Sequence, residues 1–268
     1  MVATPLPAVI TFRLVAHSKT ARGLSRTSLC TMNANSNSAI SSAPDFTSAR
    51  NEMVARQIQA RGIHSQRVLE TMAAVPRHEF VPRESAASAY SDEPLPIGGG
   101  QTISQPFMVA AMADAVLLHG SERVLEIGGG SGYQAAVLSL LAQEVIVVEL
   151  QPELARACRE RLARLGYLNV RVEEGDGSLG WPAGAPYDGI LVSAAAPAIP
   201  SPLVAQLAEG GRLVIPVGSP EQQDLLRLTK RQRDVKQEAL FACRFVPLLG
   251  RHGWPARPQE TVPGIPRG

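Results

Sequence analysis

The chain has little that would tie it to a metal, a membrane or a nucleic acid. Its three cysteines, Cys30, Cys158 and Cys243, lie far apart and are odd in number. That excludes a disulfide framework and fits a reducing compartment, so a cytoplasmic protein is expected. Neither CxxC nor HExxH spacing occurs and the five histidines are scattered, so no metal site is expected. No apolar run approaches the roughly 18 residues that a membrane-spanning helix needs, so no membrane partner is expected. The formal charge of +2 over 268 residues gives no case for a nucleic-acid partner, which needs concentrated cations. Arginines do gather at Arg156, Arg159, Arg161 and Arg164, where they read as a solvated helix face. At 45 % hydrophobic, the chain can bury a substantial core.

Acidic residues are missing before Asp45, and residues 1–48 are rich in Ser, Thr, Ala and Asn. Pro7 and Arg13 interrupt the weakly apolar "LPAVITFRLVAH", a poor secretory signal. The composition loosely resembles a transit peptide. The segment reads as a disordered extension, or as the product of a start placed too early, with Met32 and Met53 as alternatives. The folded domain is expected over residues 49–250, with N-terminal helices and a substrate loop at 49–119 and a cofactor-binding sheet at 120–250. The Pro- and Gly-rich tail, 251–268, is expected to be irregular.

From Arg50 the periodicity is helical. "NEMVARQIQARG" ends on Gly62, a residue that accepts the left-handed C′ conformation. Ser65 is positioned as an N-cap for a helix carrying Val68, Leu69, Met72 and Val75. "FMVAAMADAVLL" reads as a buried helix. Strands and helices then alternate: "RVLEIG", "EVIVVEL", "NVRVEEGDG", "YDGILVSAA" and "GGRLVIPVG" are strand candidates. "PELARACRERLARLG" carries Leu154, Cys158, Leu162 and Leu165 on one stripe. "DLLRLTKR" and "ALFACRFVPLL" read as a terminal antiparallel pair. The expected fold is α/β: a doubly wound, Rossmann-like, mostly parallel sheet with that pair at its end and a helical N-terminal segment.

Glycine triplets occur twice. In "VLEIGGGSGYQ", Gly128, Gly130 and Gly132 stand between a strand and a helix, at the first βα turn, where open α/β sheets bind ligands. Glycine lets backbone approach the ligand, and the helix start adds free N–H groups. A dinucleotide fingerprint needs a third glycine where Tyr133 stands. GxGxG fits instead. Glu126, two residues before the first glycine, disfavours pyrophosphate and suits a cationic ligand. Glu149 ends the next strand, where a carboxylate can accept from both hydroxyls of a ribose. Asp176 ends the third, where it could meet an adenine amino group. In "PLPIGGGQTISQPF", Gly98–Gly100 follow an extended, proline-bounded run. No Lys or Arg accompanies them, so a phosphate cradle is excluded and a mobile substrate loop is the better reading.

An acid, GxGxG, an acid and an Asp at successive strand ends together resemble the class I S-adenosylmethionine-dependent methyltransferases. "RVLETMAAVPRHEFVP", "AYSDEPLPIG", "PLPIGGGQTISQPF", "VLEIGGGSGYQAA", "VEEGDGSLGWP", "YDGILVSAAAP", "GGRLVIPVG" and "FVPLLG" are similar, in order, to the protein-L-isoaspartate O-methyltransferase family. The resemblance covers about residues 50 to 250. Two glycines depart from it: the family commonly has a bulkier residue at position 99 and threonine at 129.

The resemblance implies methyl transfer from S-adenosylmethionine to the free α-carboxylate of L-isoaspartyl residues in damaged proteins and peptides, which opens repair through a succinimide. It implies cofactor contacts from Glu126, Gly128, Gly130, Gly132, Glu149, Leu150, Asp176 and Gly177. Ser104 matches the family's active-site residue, with Thr102, Ile103 and Ser193 completing the substrate wall. The glycines of the first triplet would leave the loop free to close over an isoaspartyl backbone. A monomer is expected. Methylation of another carboxylate, a nicotinamide oxidoreductase and a non-catalytic peptide binder are the rival readings.

Overall fold

The computed structural model describes residues 45–232 and 234–255. The expected extension falls outside them up to residue 44, as does the tail from residue 256.

Asp45 caps the first helix: its carboxylate accepts from Thr47 N at 3.1 Å and Ser48 N at 3.2 Å. Helix α1 (Phe46–Met53) therefore begins before the boundary expected at residue 49. It runs on through a π turn, Val54–Ile58, and a 3-10 turn, Gln59–Arg61, and stops at Gly62, whose φ is +98°. α2 (Gln66–Ala74) buries Val68, Leu69 and Met72 and ends before Pro76, which disfavours helix in the residue it follows.

The first glycine triplet is built into a hairpin rather than a loop. β1 (Leu95–Gly98) and β2 (Gln101–Ile103) pair antiparallel. Between them Gly99 and Gly100 take φ of +59° and +72°. Positive φ at both central residues suits a tight two-residue hairpin, and glycine adopts it without strain. α3 (Pro106–Val116) follows, with proline at its first turn.

The alternating part comprises β3 (Arg123–Ile127), α4 (Tyr133–Ser139), β4 (Glu144–Glu149), α5 (Pro152–Arg164), β5 (Val170–Glu174) and β6 (Tyr187–Val192). It continues with α6 (Ser201–Ala205), β7 (Leu207–Gly218), β8 (Gln223–Arg231) and β9 (Asp234–Cys243). The sheet order is β5-β4-β3-β6-β7-β8-β9. The first five are mutually parallel, β8 is antiparallel to β7, and β9 is antiparallel to β8. β9 begins five residues before the expected "ALFAC" run, and the chain leaves the sheet after Cys243. "RFVPLLG" is therefore not strand; it turns back over the strand ends.

Strand alternation divides the core. Val145 and Val147 of β4 face the cluster that contains α1 to α5, whereas Ile146 and Val148 face the one with Leu203 of α6 and Leu248. Each such fully buried side chain stabilises the fold by about 1.5–3 kcal/mol. β3 lies between β4 and β6, so the connections leave it in opposite directions. A crevice opens at such a switch point beyond the carboxyl ends. No helix among the described residues is long and apolar enough to cross a membrane.

Candidate active site

The crevice is a solvent-open, concave cleft at the carboxyl ends of β3, β4 and β6, as small-molecule sites usually are. After β3 the chain turns through Gly128, Gly130 and Gly132 at φ of +88°, +49° and +85°. Gly128 N donates to Val148 O at 2.9 Å and Gly132 N to Gly129 O at 2.8 Å, so neighbouring backbone fixes the turn. Gly128 and Gly130 line the cleft; Gly132 does not. A Cβ on Gly132 would stand 3.1 Å from Cys158 Sγ. This glycine lets α4 start close against α5.

Glu149, buried at the end of β4, ties that strand to the turn. Its Oε2 accepts from Gly130 N at 2.9 Å and its Oε1 from Gln151 N at 2.9 Å. Leu150 follows it into the cleft lining. Glu126 is different. It is fully buried, lines the cleft, and neither carboxylate oxygen has a hydrogen-bond partner among the described residues. Burial first, and the neighbouring Glu149 second, push its carboxyl well above the usual carboxylate range. A buried acid without donors is costly to the fold. It fits a site that receives a cationic group.

Gly177 lines the cleft and Asp176, just before it, lies at its edge in an adjoining hollow. Asp176 Oδ1 accepts from Ser178 N at 2.9 Å and Ser178 Oγ at 2.6 Å, and its Oδ2 accepts from Arg251 N at 2.7 Å. His252 N donates to Ser178 Oγ at 2.9 Å. The chain returning from β9 thus bonds to the carboxylate expected to meet adenine. The same return places Val246, Pro247, Leu248 and Leu249 in the cleft wall. The start of the tail, expected to be irregular from residue 251, turns back on this segment: Trp254 N donates to Leu248 O at 2.7 Å.

The hairpin forms the opposite wall. Thr102, Ile103 and Ser104 line the cleft, as does Ser193 after β6, whose N–H donates to Ile127 O at 2.8 Å. The hairpin overhangs the second triplet, with Ile97 Cδ1 3.3 Å from where a Cβ on Gly130 would lie. Gln151 Nε2 donates to Gly99 O at 3.2 Å. A second, wider groove adjoins the cleft, and Thr102, Ser104, Ser193, Val246 and Pro247 line both. Its far side holds Phe107, Phe241, Phe245, Arg244 and Arg61, whose guanidinium lies 3.6 Å over the Phe107 ring.

Several contributors were not found in the sequence. Tyr133 and Gln134 open α4 and line the cleft, yet read there only as helix residues. Of the arginines of α5, Arg156, Arg159 and Arg164 are exposed, as expected of a solvated face, while Arg161 is half-buried. Arg161 Nη1 donates to Ser131 O at 2.8 Å, inside the glycine turn; Arg159 Nη2 donates to Val172 O at 2.8 Å; Arg164 pairs with Glu79 at 3.0 Å. The available signal was spacing: Arg161 stands three residues after Cys158, beside the buried stripe.

The profile of the family "Protein-L-isoaspartate(D-aspartate) O-methyltransferase" matches residues 48–253. The chain belongs to this family. It is 54 % identical over 205 residues to the protein-L-isoaspartate O-methyltransferase of Methanoculleus marisnigri, covering 76 % of this chain and 93 % of the relative. A second relative, protein-L-isoaspartate O-methyltransferase 2 of Marinobacter nauticus, is 54 % identical over 213 residues, or 79 % and 97 % of the two chains. A solved protein-L-isoaspartate O-methyltransferase superposes with a TM-score of 0.68 at 30 % identity, covering 76 % of this chain and 67 % of the other. A family structure from Plasmodium falciparum, in complex with S-adenosyl-L-homocysteine, gives a TM-score of 0.64 at 25 % identity and covers 75 % and 98 %.

Proposed function

We propose that the cleft holds S-adenosylmethionine and that Ser104 directs the α-carboxylate of an L-isoaspartyl residue at it, in the methyl-ester-forming repair reaction of this family. The observation that carries the reading is the position of Ser104, which lines both the cleft with its unpartnered Glu126 and the adjoining groove. When bound, the cofactor supplies an electrophilic methyl group on a sulfonium.

Glu126 would accept from the cationic end of the cofactor and Glu149 from its ribose. Glu149 keeps lone pairs beyond those used by Gly130 and Gln151. Gly128, Gly130, Leu150 and Gly177 would form the floor. Asp176 would act by holding the returning chain in place rather than by meeting adenine.

The substrate carboxylate needs no general base, because its pKa near 4 leaves it ionised at neutral pH. The chain's task is to orient it and keep water out. Ser104 Oγ–H donates to the carboxylate and sets its direction, Thr102 and Ser193 flank it, and Ile103 dries the wall. The Phe-lined groove receives the flanking residues of damaged proteins and peptides. We read the working form as a cytoplasmic monomer, with substrate elements in residues 49–119 and cofactor elements in 120–250, supplemented by the described start of the tail.

The test pairs an isoaspartyl peptide with its normal aspartyl twin, with tritiated methyl donor. Label in the isoaspartyl peptide alone, at neutral pH, is expected. Equal labelling of the twin, or none of either, would overturn the reading.

A further inference from the structure

Arg77 is fully buried and makes no contact ion pair among the described residues. It sits in the 3-10 turn Arg77–Phe80 that follows α2. Its Nε donates to Ala89 O at 2.7 Å, while Nη1 and Nη2 have no hydrogen-bond partner among the described residues. Its guanidinium carbon stands 4.9 Å from the centre of the Tyr133 ring. Burying a guanidinium without a counter-ion is unfavourable, so its partners indicate what the charge does there.

Those partners lie on the two sides of the site. Tyr133 is the first residue of α4, immediately after the glycine turn, and lines the cleft. Phe80 holds the same ring edge-on at 5.4 Å. Ala89 lies on the stretch that enters the hairpin bearing Thr102 and Ser104. A cation over a ring is strengthened by exclusion of water, and the planar guanidinium can stack and donate at once, as an ammonium cannot.

We propose that Arg77 is a positioning residue for the cofactor. Its guanidinium, stacked on Tyr133 and bonded to Ala89, holds the first turn of α4 against the cleft and in register with the substrate hairpin. Cofactor affinity then depends on a side chain that does not itself line the cleft. This rests on the cofactor reading above.

The experiment measures S-adenosylhomocysteine affinity by calorimetry for the wild type, Arg77→Met, Arg77→Lys, Tyr133→Phe, Tyr133→Leu and the Met/Leu double variant, with folding checked by circular dichroism. Arg77→Met is expected to bind about tenfold more weakly, with kcat at saturating cofactor little changed and KM for cofactor raised. Arg77→Lys loses nearly as much. Tyr133→Phe keeps the ring that carries the contact and is expected to lose less affinity than Tyr133→Leu. The double variant is no weaker than Tyr133→Leu alone. A folded Arg77→Met with wild-type affinity, or strict additivity in the double variant, would overturn the proposal. Should Arg77→Met not fold, wild-type affinity in Arg77→Lys overturns it equally. A wild type that fails to bind the ligand overturns the cofactor reading instead.

Discussion

Glu126→Gln keeps the shape of a buried side chain and removes its charge. In the free protein, burial and Glu149 raise the Glu126 carboxyl well above its ordinary value, which is about 4.3. Between that value and the folded-state pKa the folded protein holds a proton that the unfolded chain has lost. The unfolded state binds fewer protons, so stability falls as pH rises through this window. The slope reaches about 1.4 kcal/mol per pH unit at most. Glutamine has no such slope. The stability of the variant relative to wild type should therefore grow with pH across the window, as read from urea unfolding at intervals from about pH 5 to 8. Taking the difference removes every other titrating group. Binding gives the complementary result. A cationic ligand group entering beside Glu126 displaces its proton, so wild-type affinity should rise with pH by up to about tenfold per unit in the same window. Calorimetry of S-adenosylhomocysteine in two buffers of different ionisation heat should show proton release in the wild type and none in the variant. Above the window the variant should bind more weakly by about 1.5–3 kcal/mol, the worth of a charged hydrogen bond. A stability difference independent of pH, with equal proton release in both proteins, would refute the role given to Glu126.

Ser104→Ala should lower turnover roughly 100-fold, as a misdirected reactant does, while S-adenosylhomocysteine affinity stays within a few-fold; unchanged turnover removes Ser104 from the mechanism. Glu149→Ala deletes the acceptor for Gly130 N and Gln151 N and should weaken the same ligand by about 1–3 kcal/mol, which calorimetry would read. Gly250→Ala puts a Cβ against Asp176 Oδ1. It should loosen the returning chain, reduce stability by about 1–3 kcal/mol and weaken ligand binding, although residue 250 does not line the cleft. Wild-type binding by a folded Gly250→Ala would show that the returning chain does not shape the site.

The parts legible in the sequence were those with a period or a terminus. Buried parallel strands read as β-branched runs, helices closed on glycine, and the acids stood at strand ends where side chains converge. Strands that face solvent were harder to read. Asp234–Glu238 of β9 lies at a sheet edge with mostly exposed side chains, so it lacks the apolar alternation that marks a strand. β1 was hidden by Pro94 and Pro96, yet a two-stranded ribbon leaves each strand one free edge, and proline is tolerated there. Side-chain aim was hidden altogether. Asp176 does end its strand region, but which group it meets depends on a chain segment 75 residues later. Arg161 carries the charge of a surface residue and still reaches a carbonyl of the glycine turn, because its long stem can cross the helix edge.

The two departures from the family pattern acquire a physical reason in this arrangement. A Cβ on Gly129 would lie 2.6 Å from Val147 Cγ1, and one on Gly99 2.6 Å from Gln151 Oε1. The space that a larger residue would need is filled from β4 in the first case; in the second the flexible end of Gln151 would have to move, and the φ of +59° itself favours glycine. Gln151 also donates to Gly99 O and, through its own N–H, to Glu149. The tip of the substrate hairpin is thus joined to the carboxylate proposed to hold the ribose. Freedom to close was the sequence-based expectation for the first triplet. Its glycines instead take the positive φ of a tight turn and bring the hairpin into contact with the cofactor side.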